Sequence, residues 1–111
     1  GGYVWSLGRL QADEPLEFKA FVALKGSQRD ETNLTIGETY PSDVIEAKIG
    51  EPLGKSTMRL FPLTLTLKAG DQPRDLLGKN QDDFGLIWIE SDNPKVGRMK
   101  LAVKVFVEPR P

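Results

Sequence analysis

Carboxylates are the general acid–base groups that this chain offers in quantity, because it contains no histidine and no cysteine. The commonest general base, thiolate nucleophiles, Cys/His metal sites and disulfides are therefore excluded. A pair of catalytic carboxylates must face each other across a cleft at about 5–9 Å. The acidic residues that stand out all fall in predicted turns: Asp13, Glu14, Asp71, Asp75, Asp82, Asp83 and Asp92. The sequence therefore predicts solvated turn acids, no catalytic residue and no enzyme.

The same turns could supply oxygen ligands to calcium, which takes six to eight of them. Asp82 and Asp83 precede one predicted strand, whereas Asp92 and Asn93 follow it, so the two pairs should lie at opposite ends of that strand. The spacing also lacks the EF-hand pattern. We expect no metal site and no cofactor.

The overall charge gives no reason to expect a nucleic-acid partner. Fifteen Lys and Arg residues stand against sixteen Asp and Glu residues, a net charge of -1. No apolar run approaches the roughly 20 residues that a membrane-spanning helix needs, which predicts no direct membrane insertion. A length of 111 residues suits one domain. Because the chain opens on two glycines without an initiator methionine, we interpret residues 1–111 as a single domain excised from a longer protein.

Apolar and other side chains alternate along the chain with a period of two, which is typical of strands with one buried face. The clearest alternating segments are residues 16–25, 61–68 and 98–107, and weaker ones span 3–10, 34–40, 44–49 and 84–90. About seven short strands separated by turn residues predict an all-β fold, an immunoglobulin-like antiparallel β-sandwich. The predicted core comprises Phe18, Val22, Leu65, Ile87, Leu101, Val103 and Val105.

Two local features depart from simple alternation. Met58 and Leu60 are out of phase with the apolar residues from Phe61 onward, and Pro62 cannot donate a ladder hydrogen bond, so a bulge or an edge strand is predicted there. In the irregular stretch 70–83, residues 75–77 are interpreted as a single helical turn.

The strand predicted over residues 84–90 is apolar on both faces, although a sandwich has one core. If it pairs antiparallel with the last strand, Ile87 and Ile89 share the core face with Leu101, Val103 and Val105. The opposite face then carries a candidate interaction surface, made of Phe84, Leu86, Trp88 and Phe106. Either residues 70–83 or the N-terminal strand folds over this face, or it is an exposed patch for a partner or a second copy.

Basic residues share the outward face of the last strand. Lys95, Arg98, Lys100 and Lys104 cluster there, and we interpret them as a solvated face that guards against pairing at a sheet edge.

Several short motifs resemble the bacterial relatives of the Hydin-like (ASH, or major-sperm-protein-like) immunoglobulin domains. Trp5-Ser6-Leu7-Gly8-Arg9-Leu10 resembles their opening strand, and Leu34-Thr35-Ile36-Gly37 their third. The segment from Gly85 to Pro94 is similar to their late strand and turn. One departure is that Thr39-Tyr40-Pro41-Ser42 stands where many members carry a cysteine-containing stretch, so no role tied to those cysteines can be transferred.

The resemblance implies an immunoglobulin-like fold and a module role in a bacterial cell-envelope or secreted protein, and it supplies no catalytic residue. The expected function is protein–protein contact or spacing, with a protein partner or a neighbouring domain, and with a weak homodimer left open. The alternative is a small carbohydrate- or ligand-binding sandwich that uses Trp5, Trp88 and the strand-end loops.

Overall fold

A computed structural model describes residues 2–25, 32–55, 58–68, 70–78, 84–94 and 96–110. Within these ranges the chain forms strands and no helix. The strands are β1 (Gly2–Gln11), β2 (Leu16–Lys25), β3 (Leu34–Tyr40), β4 (Ile45–Ile49), β5 (Leu53–Lys55), β6 (Met58–Leu67), β7 (Arg74–Leu76), β8 (Gly85–Ser91) and β9 (Met99–Glu108).

The strands form two sheets that pack face to face. Sheet A has the order β1-β9-β8-β3, with β7 also pairing β9, and sheet B has the order β2-β6-β4, with β5 also pairing β6. Because β1 occupies one edge of β9 from Lys100 to Glu108, β7 and β8 must share the other edge. By the same reasoning β4 and β5 share one edge of β6. The nine segments thus occupy seven strand positions.

This arrangement is that of an immunoglobulin-like sandwich. The sheet β2-β6-β4 matches the B, E and D strands of that fold, and β3-β8-β9 matches C, F and G, with β1 added in parallel beside β9. The prediction of an all-β immunoglobulin-like sandwich of about seven strands is confirmed.

The core lies between the sheets and follows the alternation. Leu65, Ile87, Val103 and Val105 are fully buried, and the other predicted core residues, Phe18, Val22 and Leu101, are partly buried against them. Burying an aliphatic side chain of this size contributes about 1.5–3 kcal/mol. This apolar layer therefore holds the two sheets together.

Strand β6 contains no bulge, so the prediction of one at Pro62 is wrong. Its register against β2 is unbroken from Met58 to Leu67, and Met58 and Leu60 lie on the outer face. The Pro62 carbonyl accepts a hydrogen bond from the Gly50 amide, so the Pro62 nitrogen points the same way, into the gap between β4 and β5. A residue without an N–H can occupy this central strand because no ladder hydrogen bond is required there.

Register shifts occur instead in β1 and in β3, where the pairing with β8 shifts between Ile36 and Thr39. The β1–β9 register shifts between Ser6 and Gly8, and Gly8 has a φ of 73°, a left-handed conformation that glycine adopts without strain. Trp5 therefore faces inward opposite Val103, and Leu10 faces inward opposite Val107. A residue with a Cβ at position 8 would be strained.

Residues 75–77 do not form a helical turn. Asp75 and Leu76 belong to β7, and Leu77 forms an isolated bridge to Phe84. Leu76 is buried opposite Val105, and this burial together with the ladder to β9 favours strand over the local turn that three residues alone suggested.

Candidate interaction surface

The four residues of the candidate interaction surface lie on the outer face of sheet A. Leu86 is opposite Ala102 and Trp88 is opposite Lys100 in the β8–β9 register, whereas Ile87 is opposite the inward-facing Leu101. Phe84 immediately precedes β8, and Phe106 lies farther along β9 with Arg9 and Asp75 as its neighbours. The parity argument from the sequence thus places all four side chains on one face.

No strand lies across this face in the described part of the chain. Strand β1 pairs with one edge of β9 and strand β7 with the other, so both covers considered from the sequence extend the sheet instead of crossing it. Residues 79–83 lie outside the described ranges. Gly78 does pack on Phe84: a Cβ at position 78 would lie 1.6 Å from a Phe84 ring carbon.

The four side chains are nevertheless only partly exposed. Ala102, in the middle of the face, retains only 8% of its exposure. Long basic side chains lie over the rings of this surface, and side chains of this type can shield apolar area while their charged ends reach water.

Each aromatic ring of the surface has a cation over it. Lys104 Nζ lies 4.8 Å from the Phe84 ring centre, and Arg9 Cζ lies 4.9 Å from that of Phe106. The Trp88 ring has Arg98 Cζ at 4.0 Å and Lys100 Nζ at 5.7 Å. Such contacts contribute about 0.5–1 kcal/mol each at exposed sites.

The interpretation of these basic residues as guards of a sheet edge is wrong, because β9 is paired on both sides. Lys95 lies outside the described residues. Sequence reasoning also missed Arg9, which belongs to another strand. The sequence feature that could have identified Arg9 is the change in alternation at Gly8. After this position the Arg9 side chain lies on the same face of sheet A as Phe106.

Most of the positive charge on this face has no anionic partner. Arg98 pairs with Glu90 at 3.1 Å, but Arg9, Lys100 and Lys104 make no ion pair with any described residue. Two carboxylates lie near these cations: Glu108 accepts a hydrogen bond from Gln11, and Asp75 accepts one from the Leu77 amide. The surface therefore combines apolar rings with three basic side chains that form no ion pair among the described residues.

A second feature, which the sequence did not indicate, is a cleft of about 390 Å³ between β1 and β2. Trp5, one of the lining residues, contacts Phe18 edge to face, with 6.4 Å between the ring centres. The walls are mostly apolar, with Tyr3, Ala20, Val22, Leu63, Ile89, Met99 and Leu101 among the lining residues. The core is thus incompletely covered on this side of the sandwich.

The two tryptophans cannot form one binding site. Trp5 faces inward opposite Val103, whereas Trp88 faces outward opposite Lys100 on the same sheet. The ligand-binding alternative could therefore use one of them at a time, Trp5 beside the cleft or Trp88 on the outer face.

Several carboxylates that the structure describes form contacts with a neighbouring turn or strand. Asp92 Oδ1 and Oδ2 accept hydrogen bonds from the Asn33 amide and side chain, which lowers the Asp92 pKa below its ordinary value. A hydrogen bond from Arg74 lowers the pKa of Asp43 in the same way. Asp13 lies 4.0 Å from Arg110, where β9 has ended, and Asp92 lies before β9 begins, so these two are at opposite ends of sheet A.

No three acidic residues of the described ranges converge in a way that could hold a metal ion. Asp82 and Asp83 lie outside those ranges, and the expectation of no metal and no cofactor stays a prediction. The described residues contain no helix long and apolar enough to cross a membrane.

No family model, curated protein or solved structure matches this chain. The resemblance to the Hydin-like domains therefore stays a prediction carried by the short motifs alone.

Proposed function

We propose that this chain is a non-catalytic immunoglobulin-like module that contacts an acidic surface of another protein through the candidate interaction surface. The observation that carries the proposal is the set of Arg9, Lys100 and Lys104, which lie over or beside aromatic rings on an open sheet face without an ion pair among the described residues.

A partner with carboxylates beside apolar side chains complements this face. The carboxylates neutralise the free cations, and the apolar groups cover Leu86 and the ring edges that the basic side chains leave exposed. Aromatic and arginine side chains are also the residue types that most often dominate binding energy in protein interfaces.

The proposed cellular location of the module rests on the resemblance of its short motifs to the Hydin-like immunoglobulin domains. It supports a place in a larger bacterial protein of the cell envelope or in a secreted one, where the module would contact a partner or a neighbouring domain. The second candidate function, ligand binding, is favoured by the apolar cleft beside Trp5.

A charge reversal on the candidate surface tests the proposal. In an NMR titration of the ¹⁵N-labelled chain with a short peptide rich in glutamate and phenylalanine, we expect chemical-shift changes. They should occur in the signals of the Trp88 indole N–H and of the backbone amides near Phe84 and Phe106. Lys104→Glu should weaken this binding about tenfold or more, because it removes an attraction and adds a repulsion. Raised salt should weaken it as well.

Lys48→Glu is the matched control, because it changes the net charge equally from an exposed position on sheet B. It should leave binding close to that of the parent. Equal loss in both variants would show attraction to net charge only, and shifts confined to Trp5 and the cleft would favour the ligand-binding alternative.

A further inference from the structure

The outer face of sheet A carries an apolar row that crosses the strands β1, β9, β8 and β3. In the three ladders Val4 lies opposite Ala102, Ala102 lies opposite Leu86, and Leu86 lies opposite Tyr40. Both ends of the row are open, because Val4 is 60% and Tyr40 is 58% exposed. Since neighbouring strands are about 4.8 Å apart, the row is roughly 14 Å long. It extends the candidate interaction surface from Leu86 to both edges of the sheet.

A lysine borders this row on each side. Lys100 stands two positions before Ala102 on β9, and Lys104 stands two positions after it, so all three share one face. The two lysines are about 13 Å apart along the strand. Neither forms an ion pair with a described residue. The row is therefore an apolar strip between two cationic borders.

The backbone of the sheet beneath the row offers no hydrogen bonds to a partner, because β8 and β9 are each paired on both edges. An α-helix needs none, since its peptide groups bond to one another. Its turns repeat every 5.4 Å or so, close to the strand spacing of about 4.8 Å, so one apolar residue per turn can meet one strand. With its side chains a helix is about 10–12 Å across, which fits between the two lysines.

We propose that the element of the acidic partner that binds here is an amphipathic helix of about three turns, which lies along the apolar row. Its apolar stripe covers Val4, Leu86 and Tyr40. Acidic residues on one border of the stripe meet Lys100, and those on the other border meet Lys104. This inference rests on the proposed function and adds to it the form of the partner and two contact residues, Val4 and Tyr40.

A stapled helical peptide about four turns long tests the proposal, with leucines along one stripe and glutamates on both borders. Its binding is followed by the fluorescence anisotropy of an attached dye. Val4→Ser and Tyr40→Ser should each weaken binding about fivefold, because each removes an apolar contact at one end of the row. Lys100→Glu and Lys104→Glu should each weaken it about tenfold or more.

Tyr3→Ser is the matched control. Tyr3 is 69% exposed, but it lies opposite the inward-facing Leu101, on the other side of sheet A, so its replacement should leave binding unchanged. A second control is a stapled peptide of the same composition with every glutamate on one border, which should bind at least about fivefold more weakly than the parent peptide. If a serine variant fails to fold, Val4→Thr and Tyr40→Thr repeat the test with a residue that suits a strand.

The outcomes separate this inference from the proposed function. Binding that is lost in Lys104→Glu but kept in both Val4→Ser and Tyr40→Ser overturns the helix along the row and leaves the acidic partner standing. Equal binding of the one-border peptide, or equal loss in Tyr3→Ser, also overturns it. A parent chain that binds only the flexible peptide rich in glutamate and phenylalanine overturns the helix alone. A parent that binds neither peptide overturns both proposals.

Discussion

Asp92 shows how a single exposed carboxylate can have a structural role in this fold. It lies in the turn after β8, and its two oxygens accept hydrogen bonds from Asn33, just before β3. These contacts connect the turn to the neighbouring strand of the same sheet. Close by, Asn93 bonds the buried side chain of Thr32, so this end of the sandwich is fastened by polar contacts.

The lowered pKa of Asp92 predicts a definite pH dependence of stability. A carboxylate with a lower pKa in the folded than in the unfolded chain stabilises the fold above its unfolded pKa of about 3.9. That contribution is lost as the pH falls through the lowered folded value. Asp92→Asn should therefore flatten the loss of stability below about pH 4, measured by urea unfolding at several pH values. Asp71→Asn, at an exposed aspartate without a hydrogen bond or ion pair to described residues, should keep the parent's acid dependence. The same flattening in both variants would contradict a specific role for Asp92.

Strand β8 illustrates packing at the scale of an element. Its residues Leu86 and Trp88 belong to the candidate interaction surface, and its residues Gly85, Ile87 and Ile89 are buried in the core. Gly85 is needed there because β4 of the other sheet approaches closely. A Cβ at this position would lie 2.2 Å from Ile45 Cδ1 and 3.2 Å from the Val103 carbonyl oxygen.

Gly85→Ala should destabilise the fold by about 1–3 kcal/mol, the usual cost of forcing extra volume into a packed core. The matched control is Gly70→Ala, because a Cβ at Gly70 meets nothing within 4 Å. That change should be neutral or stabilising by up to about 1 kcal/mol. Urea unfolding of the two variants beside the parent measures both effects. An unchanged stability in Gly85→Ala would mean that β4 and β8 separate more easily than their packing suggests.

At the scale of the whole molecule, one apolar cluster spans both sheets. It includes Phe61, Leu65 and Leu67 from sheet B and Ile87, Val103 and Val105 from sheet A. Neither sheet can keep its inner face buried without the other. We therefore expect the sandwich to unfold as one unit.

The two tryptophans report on this cooperativity from opposite faces of sheet A. Trp88→Phe leaves Trp5 as the fluorescent probe of the cleft side, and Trp5→Phe leaves Trp88 as that of the outer face. In each variant the fluorescence transition should coincide with the far-ultraviolet circular dichroism transition in urea. Separate midpoints within one variant would show that its sheets unfold independently.

The amino-acid sequence determined the strands and the faces of most of them. A period of two assigns every second residue to the core without knowledge of the partner strand, so the inward and outward sets of β8 and β9 could be predicted. The four residues of the candidate surface follow from that parity alone. The local sequence pattern gave a wrong prediction at β7, where it suggested a helical turn. Asp75 and Leu76 form a strand there because they pair with β9, which is distant in sequence.

Tertiary structure alone decided what surrounds those faces. The cations over Phe84, Trp88 and Phe106 come partly from β1 and from the turn before β9, and sequence spacing does not show which strands become neighbours. The cleft between β1 and β2 likewise depends on the order of strands in each sheet. Alternation records which side of a strand is buried, whereas the identity of the neighbouring strand is set by long-range packing, which has no periodic signature in the chain.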